Sequence, residues 1–278
     1  MCNVAPRQAP LNMINSLARY ANDAAGIEKS LKFVQSFSQV AENAVASTPK
    51  EVLLWKTAKE QTNLARRYFR LFKWIDSWTT AYNQYQTYLA PGPVAKPPPD
   101  VDNIKVVLTV VKFSLLGMYL FLEMFTLTDA MQITKTSWAP TIQLEALKFW
   151  FYSLAVSVVL GVYELLVLEL ASSAPAGHAN GTNSSHVEEK ASQATITVKS
   201  GGKESTTVVV QPKSTLVARD LRATKRQRLV KQIVADACDL LIPGAVVGWV
   251  PLGPVPVGVA GSISAVLGGS DVWARVNP

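Results

Sequence analysis

The feature that most constrains this chain is a long segment without charge near its end. No Asp, Glu, Lys or Arg lies between Leu240 and Ser270. Prolines interrupt the run at Pro243, Pro251, Pro254 and Pro256, and a proline in a helix interior kinks or breaks the helix. We therefore expect a kinked membrane span or a re-entrant hairpin rather than one straight helix.

The cleanest helical part of this run is Val257 to Leu267. It contains Gly258 and Gly261, a spacing that favours close packing of helices in a membrane over phosphate binding. The C-terminal part of the chain is thus predicted to be a Gly/Pro-rich membrane segment.

Two further apolar stretches lie in the middle of the chain, Ile104 to Phe125 and Leu147 to Leu170. A span needs about 20 apolar residues, and a central Lys costs about 3 kcal/mol on insertion scales. Each stretch carries charges, so each is marginal as a lone span, and we expect the two to pack as a helical hairpin. The polar residues of the first stretch share one helical stripe, which we call the polar stripe: Lys105, Thr109, Lys112 and Glu123.

The sequence predicts an all-α membrane protein whose N-terminal third consists of amphipathic helices separated by short turns. Gly26 is predicted to end the first helix, and Thr48 with Pro49 to open a later one by capping. Ile27, Leu31 and Val34 share a face that we expect to pack in a core. The composition divides the chain into five predicted regions: an amphipathic region (1–90), a Pro-rich hinge (91–103), a hydrophobic helical pair (104–170), a polar low-complexity linker (171–215), and a basic helix with the membrane segment (216–278).

The most informative segment is Asn63 to Trp78, which combines an aromatic side with a basic side. Its apolar residues at helical spacing are Leu64, Tyr68, Leu71, Ile75 and Trp78, flanked by Phe72 and Trp74. The other side carries Arg66, Arg70 and Lys73, with Arg67 toward the rim. Such a helix lies in the headgroup plane of an anionic membrane, and four cations at about 1 kcal/mol each contribute roughly 4 kcal/mol to binding. The alternative is the exposed helix of an ordinary bundle.

The charge balance fits an anionic partner. Lys and Arg total 27 against 20 for Asp and Glu, a net charge of +7. The basic residues between Arg219 and Lys231 directly precede the charge-free run, so we interpret them as an anchor on an anionic phospholipid membrane rather than as a nucleic-acid patch.

Catalytic motifs are missing from the sequence. The two histidines lie in the polar linker, and no P-loop, GxSxG, HExxH, CxxC or Cys/His cluster occurs. We expect no enzyme activity, no metal and no cofactor.

The order of segments resembles the peroxin-11 family of peroxisomal membrane proteins. The segments that carry the resemblance are Gly26 to Gln35, Leu64 to Ile75, Leu229 to Lys231, Asp236 to Pro243 and Gly258 to Gly268. The resemblance, interpreted as that of a fungal-type member, implies location in the peroxisomal membrane and insertion of the Leu64 to Ile75 helix to curve and elongate it. It also implies self-association and fission by a dynamin-like GTPase with its adaptors.

Two other functions stay open from the sequence. The polar stripe could line a channel for small solutes, since charged residues at membrane depth usually face a cavity or a partner. The basic run could instead belong to a membrane-tethered adaptor for nucleic acid.

Overall fold

The computed structural model describes residues 8–89, 103–173 and 213–278. Regular secondary structure in these ranges is entirely helical, which confirms the predicted all-α membrane class. The predicted hinge and polar linker fall almost wholly outside the described residues, and the predicted domain boundaries stay predictions. The α-helices are α1 Gln8–Asn22, α2 Ala24–Val40, α3 Pro49–Arg70, α4 Lys73–Leu89, α5 Asn103–Phe125, α6 Leu127–Ala130, α7 Ala139–Ser173, α8 Lys213–Val247 and α9 Pro254–Val276, and a π-helical turn, Ala41–Val45, follows α2.

Local capping explains where the N-terminal helices begin. Thr48 and Glu51 form a reciprocal capping box in front of α3, with Pro49 at its first position, as predicted. Gly26 does not end a helix: α1 stops at Asn22, and the Asp23 carboxylate accepts from the backbone N–H of Gly26 in the first turn of α2. A Cβ on Gly26 would lie 2.2 Å from the Tyr20 carbonyl oxygen, so this position requires glycine for the close approach of α1 and α2.

The two middle apolar stretches form the expected hairpin. α5 and α7 pack antiparallel, with the Tyr119 ring stacked 5.2 Å from the Trp150 ring. The Ser153 hydroxyl donates to the Lys112 carbonyl oxygen at 3.0 Å. α7 begins at Ala139, earlier than the predicted Leu147, because α6 and a short connector already complete the reversal.

The charge-free run folds as a second hairpin. α8 continues through Pro243 to Val247, and the chain turns at Gly248, whose φ is 84°, before α9 begins at Pro254. α9 then packs on both α8 and α2. A Cβ on Gly258 would lie 2.9 Å from the Ser36 carbonyl oxygen, so the glycine spacing does serve close helix packing.

Three described helices are long and apolar enough to cross a membrane: Asn103–Phe125, Ala139–Leu170 and Pro254–Val276. Contacts link the helices in the order α3, α2, α9, α8, α7, α5, α4. The helices of the N-terminal third therefore pack directly on candidate spans instead of forming a separate bundle.

The packing of α2 reverses the polarity of a water-soluble protein. α2 buries Glu28, Lys32 and Ser36, while Phe33 and Phe37 are exposed. Of the predicted core face, Ile27 and Leu31 are half-buried and Val34 is exposed. The helical periodicity separates a polar face of α2 from an apolar face, and it is the polar face that packs against the rest of the protein.

Candidate membrane-contacting surface and charged interior

The segment from Asn63 to Trp78 is two helices rather than one. α3 ends at Arg70, Leu71 and Phe72 form a turn, and α4 begins at Lys73. The continuous helix that the periodicity predicts is therefore wrong. The turn allows α3 to pack on α2 while α4 packs on α5.

Arg66 lies inside the protein. Only 7% of its surface is exposed. Its Nε and Nη2 donate to Glu28 Oε1 at 3.0 and 2.9 Å, and its Nη1 donates to Gln35 Oε1 at 2.6 Å. This side chain therefore joins α3 to α2. The sequence pattern predicts instead that it faces lipid headgroups.

The protonation state of Glu28 follows from this arrangement. Burial alone would raise the pKa of the Glu28 carboxyl, but Lys29, Arg66 and Arg70 lower it by more. The net pKa lies well below its usual value, so the carboxylate stays charged and the pair with Arg66 is ionic at neutral pH.

Arg70 joins the N-terminal helices to α5. It donates to the Tyr119 hydroxyl at 3.0 Å and to Glu123 Oε1 at 3.1 Å. The Tyr119 hydroxyl in turn donates to the same Glu123 oxygen at 3.0 Å. Arg67 approaches this oxygen only to 3.7 Å, so Glu123 is shared unequally between two arginines.

The apolar residues of the segment divide into two groups. Trp74 and Trp78 pack on Phe121 of α5, with ring centroids 5.4 Å apart in each pair. Phe72 and Ile75, by contrast, are 65% and 45% exposed. Leu64 and Leu71 are half-buried, and Tyr68 is exposed.

Exposed apolar residues extend from this turn over the neighbouring helices. We call these residues the outer apolar surface, and they comprise Phe33, Val34 and Phe37 of α2, Leu53, Leu54, Tyr68 and Phe69 of α3, Phe72 of the turn, and Ile75 and Tyr82 of α4. A soluble monomer rarely exposes so many large apolar side chains together. The arrangement suits a lipid environment.

The four residues of the polar stripe have different partners within the described part of the chain. Lys105 forms an ion pair with Glu164 of α7 at 2.7 Å, whereas Glu123 belongs to the Arg70 cluster. The Thr109 hydroxyl donates to its own helix at Lys105, and the Lys112 ammonium lies over the Phe113 ring. Nothing in the described ranges favours a solute path, and the channel hypothesis stays untested.

A second charged cluster was not anticipated from the sequence. Lys32 of α2 donates to both carboxylate oxygens of Asp239 on α8, and the Ser264 hydroxyl of α9 donates to the same group. Burial lowers the pKa of Lys32 to about 8, and Asp239 offsets only part of this effect. The signal was available: Glu28, Lys32 and Ser36 recur every four residues, which places them on one face.

The sequence as a whole matches one described family, peroxisomal biogenesis factor 11 (PEX11), over residues 14–273. The chain belongs to the PEX11 family. It is therefore a non-enzymatic peroxisome biogenesis factor of the peroxisomal membrane, with a role in peroxisome proliferation. No curated protein and no solved structure matches the chain. The family match does not bear on the fungal-type assignment, which stays a prediction.

Proposed function

We propose that this PEX11 protein curves and elongates the peroxisomal membrane by inserting its outer apolar surface into one leaflet. The supporting observation is the inverted polarity of α2 and the end of α3. Glu28, Lys32 and Arg66 are buried, while Phe33, Phe37 and Phe72 are exposed. Burial of apolar surface contributes roughly 25 cal/mol per Å². Insertion of several aromatic side chains therefore favours a membrane-embedded state strongly.

The cations take a different part in this mechanism from the one the sequence suggests. Arg66 and Arg70 form internal ion pairs that fix α3 against α2 and α5. The apolar residues around the α3–α4 turn, chiefly Tyr68, Phe72 and Ile75, then form the wedge. A wedge that expands one leaflet relative to the other bends the membrane when many copies gather.

The family resemblance extends the proposal to partners. Self-association would gather the copies that curvature requires, and a dynamin-like GTPase with its adaptors would complete fission. Self-association and the dynamin-like GTPase are both parts of this proposal.

The test replaces exposed apolar residues by charge without touching the interior. The variant Phe72→Glu with Ile75→Glu places two carboxylates where the wedge enters the acyl region, and a charged side chain within the hydrocarbon is costly. We expect the reconstituted full chain to lose tubulation of anionic vesicles in electron micrographs. In cells, we expect fewer and rounder peroxisomes.

The matched control is Thr80→Glu with Thr87→Glu. These two residues of α4 are exposed and polar and lie about 100° or more from Ile75 around the helix. This variant should tubulate vesicles as the parent does. If the Phe72 and Ile75 variant folds, reaches peroxisomes and still elongates them, the wedge mechanism is wrong.

A further inference from the structure

A pocket lies between the last turns of α3 and the chain that connects α5 to α7. It is a depression of about 610 Å³ that is widely open to the surface, and its volume is within the range of small-ligand sites. We call it the connector pocket. Arg67 lines it from α3, and Lys135, Thr134, Ser137 and Gln143 line it from the connector and the start of α7.

Arg67 lines this pocket and is poorly supplied with hydrogen-bond acceptors. Its side chain is only 14% exposed, yet its guanidinium donates no hydrogen bond to any described residue, and its Nε is buried without a partner. The nearest carboxylate oxygen, on Glu123, lies 3.7 Å away and already accepts from Arg70 at 3.1 Å. Glu123 therefore offsets part of the Arg67 charge but accepts no hydrogen bond from it, and a ligand that accepts from the guanidinium would supply the missing hydrogen bonds.

The charge of the connector pocket also favours an anion. Lys135 is exposed and forms no ion pair with another described residue. The carboxylate in the lining, Asp129, is engaged by Thr136, whose backbone N–H and hydroxyl donate to its two oxygens at 2.6 and 2.9 Å. Two cations therefore face one carboxylate that holds the connector together.

The position of the pocket indicates the source of the anion. α5 and α7 are both candidate spans, so the connector between Phe125 and Ala139 lies where the chain leaves the hydrocarbon region. Phe125, Ile133 and Trp138 are exposed on this part of the chain, and aromatic side chains are typical of the headgroup level. A ligand with both a phosphate and acyl chains fits such a place better than a free ion.

We propose that the connector pocket binds the phosphate of an anionic phospholipid headgroup, with Arg67 as the forked donor and Lys135 as the second cation. A planar guanidinium presents two parallel donors that match phosphate oxygens. This goes beyond the wedge mechanism, because insertion of an apolar surface requires no particular headgroup. It also assigns Arg67 a function different from that of the internally paired Arg66 and Arg70.

The test measures binding of a fluorescent short-chain phosphatidylinositol to the full chain in neutral detergent micelles by anisotropy. Arg67→Gln and Lys135→Gln should each weaken binding about fivefold and together about 25-fold, from about 1 kcal/mol per cation. Lys135 is exposed, so its replacement leaves the packing intact and carries the test even if the Arg67 variant folds poorly. The control Arg19→Gln with Lys56→Gln removes the same charge from exposed positions elsewhere and should bind as the parent does.

Competition identifies the ligand. Unlabelled phosphatidylinositol should displace the probe, while inorganic phosphate and short-chain phosphatidylcholine should not do so at the same concentration. Equal competition by inorganic phosphate would overturn the lipid assignment, and equal competition by phosphatidylcholine would overturn the anionic requirement. If the Lys135 variant or the double variant binds as tightly as the parent, or no more weakly than the control, there is no such site. The Phe72 and Ile75 variant should keep this binding while losing tubulation, so failure of either proposal is visible separately.

Discussion

Replacing Arg66 by Leu distinguishes an internal ion pair from a contact with lipid headgroups. The Arg66 and Glu28 side chains are 8% and 6% exposed and are joined at 2.9 Å. Removing one partner of a buried pair costs about 3–5 kcal/mol, because the other charge remains buried. Lys29 lies 3.2 Å from the other Glu28 oxygen and retains part of the compensation, so we expect a loss at the lower end, about 3 kcal/mol.

A double-mutant cycle provides the assay. The free energy of unfolding of the full chain in neutral detergent micelles should fall by about 3 kcal/mol in Arg66→Leu. It should return to within about 1 kcal/mol of the parent in Glu28→Leu with Arg66→Leu, since replacing both charges by apolar groups is often neutral. Lys56→Leu, an exposed change on the same helix, should alter it by no more than about 0.5 kcal/mol.

The opposite results would refute this reasoning. If Arg66 met lipid headgroups, Arg66→Leu would leave unfolding in neutral micelles unchanged and would weaken partitioning onto anionic vesicles about fivefold. A double variant as unstable as the single one would show that the two side chains are not coupled.

Two further predictions concern α2. Gly258→Leu should destabilise the contact between α2 and α9 by about 1–3 kcal/mol through overpacking, because its Cβ would meet Val40 at 2.8 Å. The control is Gly253→Ala, at a position with no neighbour within 4 Å. Equal thermal stability of the two variants in micelles would contradict the packing. Lys32 has a folded pKa of about 8 against 10.5 when free, so its contribution to stability is fully present above about pH 10.5 and is lost as pH falls through about 8. Unfolding measured between pH 7 and 10 should therefore show stability rising with pH in the parent, with a smaller slope in Lys32→Met, and equal slopes would exclude this titration.

Helix positions were largely predictable from the sequence. The Thr48 capping box, the apolar stretch that became α5, and the proline-interrupted run that became the α8–α9 hairpin all follow from local chemistry. Local signals fail at Gly26, where the need for glycine comes from a neighbouring helix rather than from a helix end. They fail again at Leu71 and Phe72, where neither Gly nor Pro marks the turn.

The direction of each helix face was not predictable from periodicity alone. A wheel separates Arg66 from Phe72, but the side that packs inward depends on whether water or lipid surrounds the helix. In water the apolar side would be buried, and in lipid the polar side is. The candidate spans on which α2 and α4 pack are the part of the chain that indicates lipid surroundings.

Inverted polarity also explains why the ion pairs of this protein lie between helices far apart in the sequence. A membrane supplies little hydrophobic force to hold helices together, so association depends on packing of small residues and on polar contacts. α2 uses both on α9 and its neighbours: Gly258 allows the backbones to approach, and Lys32 reaches Asp239. Arg66 and Arg70 extend the same interior to α3 and α5. Arg66 and Arg70, which the sequence pattern places toward lipid headgroups, thus hold the helices together. The exposed aromatic side chains are left free to enter the bilayer.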